Sequence, residues 1–159
     1  MTAVDYGERA TFYRAALLLG LIRGDIVIAW ADEVLTSDGG VPPAFAEIAT
    51  TPAEDLTLLR QRLLLVGSDK ESDAVVRALT GLVHQDLASG RRTIGDTMTV
   101  LKQLRAFIKV TPALNDRLKT LGVDVAMTTP GSHERADAEA RVRAWLAEHE
   151  RDVLPFLEP

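Results

Sequence analysis

Asp25, Asp32 and Glu33 are the residues whose types and spacing come closest to catalytic chemistry. On a helix with about 100° per residue, they fall on one narrow side of the segment Asp25–Thr36. Two carboxylates perform acid–base chemistry where their surroundings separate their pKa values. Nothing in the segment predicts that these side chains are buried, so a solvated acidic face is the favoured interpretation. We expect this face to bind a basic surface of another protein.

The three histidines, His84, His133 and His149, do not form a metal-binding motif such as HExxH. The sequence has no cysteine, so a zinc site would need ligands from distant parts of the chain. It also lacks the GxxxxGK[ST], GxGxxG, GxSxG and SxxK motifs of nucleotide-binding proteins and nucleophilic enzymes. We therefore expect a protein without catalytic activity, metal or cofactor.

A basic island lies within an acidic chain. The formal net charge is −5, yet residues 91–120 contain seven basic and two acidic residues, a net charge of +5. Lys102, Arg105 and Lys109 recur at i, i+3 and i+7, which predicts one helix face. Neutralisation within the fold and binding of an acidic partner both explain the island. Nucleic acid is the less favoured partner, because the chain is acidic and the nearest aromatic residue, Phe107, is predicted to face inward.

Asp86 falls among the apolar side chains of its predicted helix, near the C-terminal end, where the helix dipole disfavours a negative charge. Arg91 or Arg92 lies close enough along the chain to pair with it. A structural salt bridge is favoured over a catalytic role, and an exposed, frayed helix end is the alternative.

The elements that position these residues follow from the hydrophobic pattern. In Asp25–Thr36 the apolar residues form a broad arc, which predicts a central helix with several others packed on it, and Trp30 in the core. The β-branched run Ile26–Ile28 suggests a strand as the alternative, but the helical period continues beyond it. The arc consists of Ile26, Val27, Ile28, Trp30, Ala31, Val34 and Leu35.

Glycines and capping residues predict the helix boundaries. Gly24 is expected in the left-handed conformation after a first helix that begins near Glu8, with Asp25 capping the next helix. Gly67, Gly90 and Gly122 are expected to end later helices. Capping boxes or N-caps are predicted at Thr51 with Pro52 and Glu54, at Ser68 with Glu71, and at Thr93, Thr111 and Ser132.

Residues 123–131 read as an extended segment, because Val123, Val125 and Met127 alternate with other residues. The last helix is expected to run from Ser132 past Val153 and to end at Pro155. The whole pattern predicts an all-α fold, a single globular bundle of seven to eight helices over residues 1–159.

An internal repeat is suggested by Leu21–Leu35 and Leu87–Leu101, which align without gaps at an offset of 66. The fold would then contain two pseudo-repeated helical hairpins. The alternative is chance, since glycine stops and helical periodicity produce such matches easily.

The run LLLGLIRGDIVIAWADEVL, followed by PPAFAEIA, resembles the opening of small all-helical bacterial immunity-type proteins of polymorphic toxin systems. The resemblance covers about the first third of the chain. It rests on a leucine-rich helix, Gly24, a helix that contains WAD, and a short helix after Pro43. It implies a protein that acts by binding, often through an acidic surface, and it implies no catalytic residue. The basic island lies outside the pattern.

The leading hypothesis is a non-enzymatic, cytoplasmic protein that binds another protein, such as an immunity-type inhibitor, through a charged surface. The apolar run Ala15–Ile22 is too short to span a bilayer, so we expect no membrane attachment. The alternative hypothesis is a helical bundle that encloses a small apolar or anionic ligand near Trp30, Trp145 and Asp86. A two-sided leucine helix also makes a homodimer an option. The candidate binding residues are Asp25, Asp32, Glu33, Lys102, Arg105 and Lys109.

Overall fold

A computed structural model describes residues 5–37, 39–67 and 73–157. Within these ranges the chain forms nine α-helices and no strand, which confirms the predicted all-α class. None of the described helices is both long enough and apolar enough to cross a membrane. The helices are α1 (Tyr6–Leu18), α2 (Gly24–Ser37), α3 (Ala44–Ala49), α4 (Leu56–Leu64), α5 (Asp73–Ala88), α6 (Ile94–Phe107), α7 (Pro112–Ala126), α8 (His133–Ala147) and α9 (Leu154–Leu157).

The chain divides into two compact units. The first unit, residues 1–71 and 154–159, contains α1 to α4 and α9. The second unit, residues 72–153, contains α5 to α8. The prediction of a single domain over residues 1–159 stays a prediction.

Aromatic rings fill the core of the first unit. The Trp30 ring lies 5.0 Å from Tyr13 and 5.1 Å from Phe45, measured between ring centroids. Phe156 of α9 lies 4.9 Å from Phe12 of α1, which attaches the end of the chain to the first helix. Aromatic pairs at these separations stabilise a core beyond the area that they bury. Trp30 is only 4% exposed, so its predicted place in the core is confirmed.

Leucines from all four helices form the core of the second unit. Leu79 of α5, Leu104 of α6, Leu121 of α7 and Leu146 of α8 are each no more than 2% exposed. Helix α5 packs on α6 and α8, and α7 also packs on both of these helices. Helix α6 therefore packs on α5 and α7, and helix α7 packs on α6 and α8.

Local capping chemistry is confirmed at three predicted helix starts. The hydroxyls of Thr93, Thr111 and Ser132 each accept the backbone N–H of the residue three positions later, at 3.1, 3.4 and 3.1 Å. A side-chain acceptor at this position satisfies an amide that the helix leaves without a partner. The capping box predicted at Ser68 and Glu71 lies outside the described residues.

The predicted start of the fourth helix at Thr51 is wrong. Asp55 is the N-cap of α4, and its Oδ1 accepts the backbone N–H of Leu58 at 3.1 Å. The Thr51 hydroxyl instead donates to the carbonyl oxygen of Glu47 at 2.8 Å and accepts from Arg62 Nη1 at 2.5 Å. Because these bonds occupy the hydroxyl, it caps no helix. Helix α4 also ends before its predicted glycine stop.

The predicted position of the first left-handed glycine is also wrong. Gly20 has a φ of 70°, whereas Gly24 is the first residue of α2. A Cβ at Gly24 would overlap the carbonyl oxygen of Ala53, so close packing explains that glycine. Gly90, with a φ of 78°, follows α5 as predicted.

The extended segment predicted at residues 123–131 is wrong in its first part, because α7 continues through Gly122 to Ala126. Leu118, Leu121 and Val125 are buried at helical spacing, and this period continues past the glycine. Three alternating apolar residues are too few to distinguish a strand from the edge of a helix.

The last predicted helix is divided in the structure, which raises the helix count above the expected eight. Helix α8 ends at Ala147, and a series of turns leads to the short helix α9. Val153, expected on the inner face of one long helix, is fully buried but lies between the two helices.

Helix boundaries repeat at an offset of 70, rather than the predicted 66. Helices α2 and α6 both have 14 residues and begin at residues 24 and 94. The left-handed glycines that precede them, Gly20 and Gly90, share this offset. The four buried positions of α6, residues 97, 100, 101 and 104, match four buried positions of α2, residues 27, 30, 31 and 34. Helices α2 and α6 therefore share their boundaries and four buried positions, whereas the helices before them, α1 and α5, differ in length.

Candidate functional site

The acidic residues lie on the outer face of α2. Asp25, Asp32 and Glu33 are all exposed, and Asp25 Oδ2 is 2.6 Å from Arg23 Nη2. Asp25 lies within the first turn of the helix rather than at its N-cap. The helical geometry also excludes the alternative strand at this place. The binding role assigned to the three carboxylates stays a prediction.

The predicted broad burial of α2 is wrong at its edges. Ile26 is 40% exposed and Leu35 is 37% exposed, while Val27, Trp30 and Val34 are buried. Helix α2 packs mainly on α3, with fewer contacts to α4, so its buried face is narrower than the apolar arc of the sequence. The acidic face therefore carries apolar side chains along both of its margins.

The predicted salt bridge at Asp86 is confirmed, and both neighbouring arginines take part in it. Asp86 is 8% exposed. Arg92 Nε donates to Oδ2 at 3.0 Å, and Arg91 Nε lies 3.3 Å from Oδ1. The backbone N–H of Arg92 also donates to the Asp86 carbonyl oxygen at 3.1 Å. These bonds satisfy the buried carboxylate and hold the turn between α5 and α6, which is a structural role.

The histidines do not assemble into a metal site. His149 Nδ1 is 2.8 Å from Asp152 Oδ2, and its ring packs edge-on against Trp145 at 5.0 Å. His84 lies within α5 and His133 is the first residue of α8. Among residues 5–37, 39–67 and 73–157, no group of three or more potential ligands is placed to hold a metal ion.

A cleft between α6 and α7 brings part of the basic island together. This α6–α7 cleft has a volume of about 580 Å³, within the range of small-molecule sites. Its floor is apolar, because Leu101 and Leu118 are each 3% exposed. The lining residues are Gly95, Met98, Thr99, Leu101, Lys102, Arg105, Leu118, Lys119, Gly122, Val123, Val125, Ala126 and Arg135.

Three cations line the end of the cleft nearest the connection between α6 and α7. Arg105 Nε donates to Asn115 Oδ1 at 3.0 Å, which joins the last turn of α6 to the first turn of α7. Lys102 lies about one turn before Arg105, and Lys119 about one turn after Asn115, so the antiparallel helices place both lysines in the next layer. None of the three cations has a carboxylate partner among the described residues.

The fourth cation of the cleft, Arg135, is held by the fold. Its Nη1 donates to the carbonyl oxygens of Val125 at 2.8 Å and Thr128 at 3.2 Å. Its Nε donates to Glu139 Oε1 at 3.1 Å. A cation here satisfies carbonyls at the C-terminal end of α7 and interacts well with the helix dipole. The uncompensated positive charge of the cleft therefore lies at the opposite end.

The prediction for the basic helix face is correct in part. Lys102 and Arg105 line the cleft, but Lys109 does not, because α6 ends at Phe107 and the following backbone is extended. Phe107 was predicted to face inward and is instead 61% exposed.

The residues expected near a ligand cavity do not line the α6–α7 cleft. Trp30 and Trp145 pack within the cores of their own units, and Asp86 is engaged by two arginines. Lys119 belongs to the predicted basic island but was not among the candidate binding residues, and neither was Arg135. The sequence signal that could have identified Lys119 is that this cation lies three residues before Gly122, within the apolar pattern of a helix.

Comparisons with protein-family models, with curated proteins and with solved structures found no match to this chain.

Proposed function

We propose that this chain is a non-enzymatic binding protein that holds a small organic anion in the α6–α7 cleft. The observation that carries the proposal is the set of three cations, Lys102, Arg105 and Lys119, that line one cleft without a carboxylate partner among the described residues. An organic anion supplies the missing negative charge, and the apolar floor accepts its carbon skeleton.

The lining of the cleft supports binding rather than catalysis. It contains no histidine and no carboxylate, so it offers no group of the usual kind for proton transfer near neutral pH. The Thr99 hydroxyl is the only side-chain alcohol among the lining residues, and the lining offers no histidine or carboxylate to activate it. Cations and apolar groups together bind an anion without changing it.

Calorimetric titration with anilinonaphthalene sulfonate, an aromatic organic anion, tests the proposal. The double substitution Lys102→Gln with Lys119→Gln should weaken binding about tenfold, because each partly exposed charge contributes up to about 1 kcal/mol. The matched control is Lys109→Gln with Arg117→Gln, which removes two charges of the same basic island from positions outside the cleft. The control should bind almost as well as the parent protein.

Two results would reject the proposal. Absence of binding by the parent protein would remove the function itself. An equal loss in both double variants would show that only the general charge of the second unit attracts the probe, and that the cleft is not the site.

Protein binding through α2 is a second candidate function, and the exposed apolar side chains beside the acidic face favour it. Ile26 and Leu35 are large apolar groups that remain 40% and 37% exposed. Protein interfaces commonly combine such groups with a charged rim. A partner would present a basic surface with apolar side chains, and an immunity-type inhibitor is one form of this function.

Native mass spectrometry of the protein purified from its own host tests the second candidate. A bound polypeptide should be lost after Asp32→Lys with Glu33→Lys, and retained after the control change Glu54→Lys on another exposed residue of the first unit. Retention of the polypeptide by the α2 variant would exclude this face.

A further inference from the structure

Gly122 lies inside α7, where neither usual structural reason for a glycine applies. Its φ is not positive, and a Cβ at this position would meet nothing within 4 Å. Glycine is the least favourable residue in a helix interior after proline, so the helix alone would favour alanine. The open space beside Gly122 belongs to the α6–α7 cleft.

Gly24 and Gly81 are helical glycines with a packing explanation. A Cβ at Gly24 would overlap the Ala53 carbonyl oxygen, and one at Gly81 would lie 2.5 Å from the His149 carbonyl oxygen. Gly95 resembles Gly122 instead, since its Cβ would meet only Thr93 Oγ1, at an ordinary contact distance of 3.8 Å. Gly95 also lines the cleft. Both glycines therefore widen the cleft without serving the packing of the helices.

The cleft is polarised along its length. The cations Lys102, Arg105 and Lys119 lie towards the α6–α7 connection, whereas Gly95 lies near the start of α6. Gly95 and Lys102 are seven positions apart, which corresponds to about 10 Å along the helix axis. Between these ends the walls are made by mainly apolar groups, with one hydroxyl at Thr99, and by the open space at Gly122. A ligand that fits this polarity has one anionic end and one elongated apolar body.

We infer that the ligand is an amphipathic anion of the alkyl carboxylate class, with its carboxylate at the lysines and its chain over Gly122. The inference rests on the proposed function and adds an orientation and a role for the glycine. Gly122 sets the specificity of the site, because any larger side chain there occupies the path of the alkyl chain. Met98 on the opposite wall contacts the same chain.

Calorimetric titrations with octanoate and butyrate test the orientation. Extended octanoate is on the order of 10 Å long by ordinary chain geometry, whereas butyrate does not reach past Gly122. Each buried methylene strengthens binding by about fourfold, so octanoate should bind at least about tenfold more tightly than butyrate. Gly122→Leu should weaken octanoate binding about tenfold or more and leave butyrate binding within about twofold. Gly122→Ala serves as a milder variant and should show a smaller loss in the same direction.

Methyl NMR of the methionines supplies a readout that does not depend on affinity. Octanoate should shift the ε-methyl resonance of Met98, which lines the cleft, and butyrate should shift it much less. Met127, which is 82% exposed and outside the cleft, is the internal control and should not respond.

The outcomes separate the two proposals. If anilinonaphthalene sulfonate binds through Lys102 and Lys119, but octanoate and butyrate bind equally and Gly122→Leu changes neither, the orientation is overturned and the anion-binding function stands. If the sulfonate and both carboxylates fail to bind, the function and the orientation fall together. A response of Met127 without one of Met98 would also overturn the placement of the chain.

Discussion

Replacing Gly122 by alanine should stabilise the protein, although it narrows the α6–α7 cleft. The position lies inside α7 with a φ that is not positive, so alanine adopts the same backbone without strain. Alanine is more favourable than glycine in a helix interior by about 0.8–1 kcal/mol. A Cβ here meets nothing within 4 Å, so no steric cost offsets this gain.

Thermal unfolding followed by circular dichroism or calorimetry measures the effect. For a chain of this size, 1 kcal/mol corresponds to a rise in Tm of about 2–4 °C. Urea unfolding should give a matching increase in the free energy of unfolding with an unchanged m value, because the buried surface stays the same.

Gly81→Ala is the matched control, since it adds the same methyl group to another helix of the second unit. Its Cβ would lie 2.5 Å from the His149 carbonyl oxygen and 3.3 Å from Val153 Cβ. Overpacking of this kind costs about 1–3 kcal/mol, which exceeds the gain in helix propensity. A Gly122→Ala protein that is destabilised like Gly81→Ala would refute the conclusion that the space beside Gly122 is open.

Two further predictions concern buried polar groups. Asp86→Asn should destabilise the fold by about 1.5–3 kcal/mol, because the change removes the charge that Arg92 meets at 3.0 Å, and urea unfolding would measure the loss. Tyr13→Phe should cost about 1 kcal/mol at neutral pH, because the Tyr13 hydroxyl donates to the Phe156 carbonyl oxygen at 3.2 Å. Burial raises the pKa of Tyr13 above its ordinary value of 10.0, with Arg9 opposing and Glu33 adding to the rise. The unfolded chain therefore loses this proton first, and stability falls as pH increases past about 10. Unfolding at neutral and alkaline pH should show the difference between the parent protein and Tyr13→Phe shrinking above that pH, and a constant difference would contradict the assignment.

Features that depend on neighbouring residues in the chain were predictable from the sequence. The N-caps at Thr93, Thr111 and Ser132 are local, because each hydroxyl bonds an amide three residues away. The pairing of Asp86 with Arg91 and Arg92 is equally local, since a turn of a few residues brings the groups together. The sequence alone was sufficient in these cases because each bonded partner lies within six residues along the chain.

The roles of Gly24 and Gly122 were not predictable, unlike that of Gly90, because they depend on parts of the fold that are distant in sequence. Gly24 has the appearance of a helix stop, and only the approach of Ala53 shows that it is a packing position. Gly122 has the same appearance, yet the helix continues through it towards Val125. A glycine in a sequence shows only that a side chain is absent. The reason can be a positive φ, a closely packed backbone or an open space, and the sequence does not distinguish among them.

The α6–α7 cleft could not be predicted from the sequence, because it also depends on contacts between residues that are distant in the chain. Lys102 and Arg105 were selected because they recur on one helix, but a cleft also needs the facing helix. Lys119 and Gly122 lie on α7, and their register relative to α6 is set by the Arg105 contact with Asn115. Lys109 does not share the helix face of Lys102 and Arg105, because α6 ends at Phe107, and its predicted binding role stays a prediction.

Comparison of α2 and α6 at an offset of 70 shows which positions are the same in both helices because they are buried, and which exposed positions differ. Four buried positions of α2 and α6 coincide, so packing requires the same inner face in both helices. On the outer face, Asp25 corresponds to Gly95 and Asp32 to Lys102, so the same position carries opposite charge in the two units. Packing of the buried face that α2 and α6 share requires neither a negative nor a positive charge at this exposed position. Helix packing therefore does not dictate the charge of the acidic face or of the cleft, which leaves both surfaces available for the binding roles proposed above.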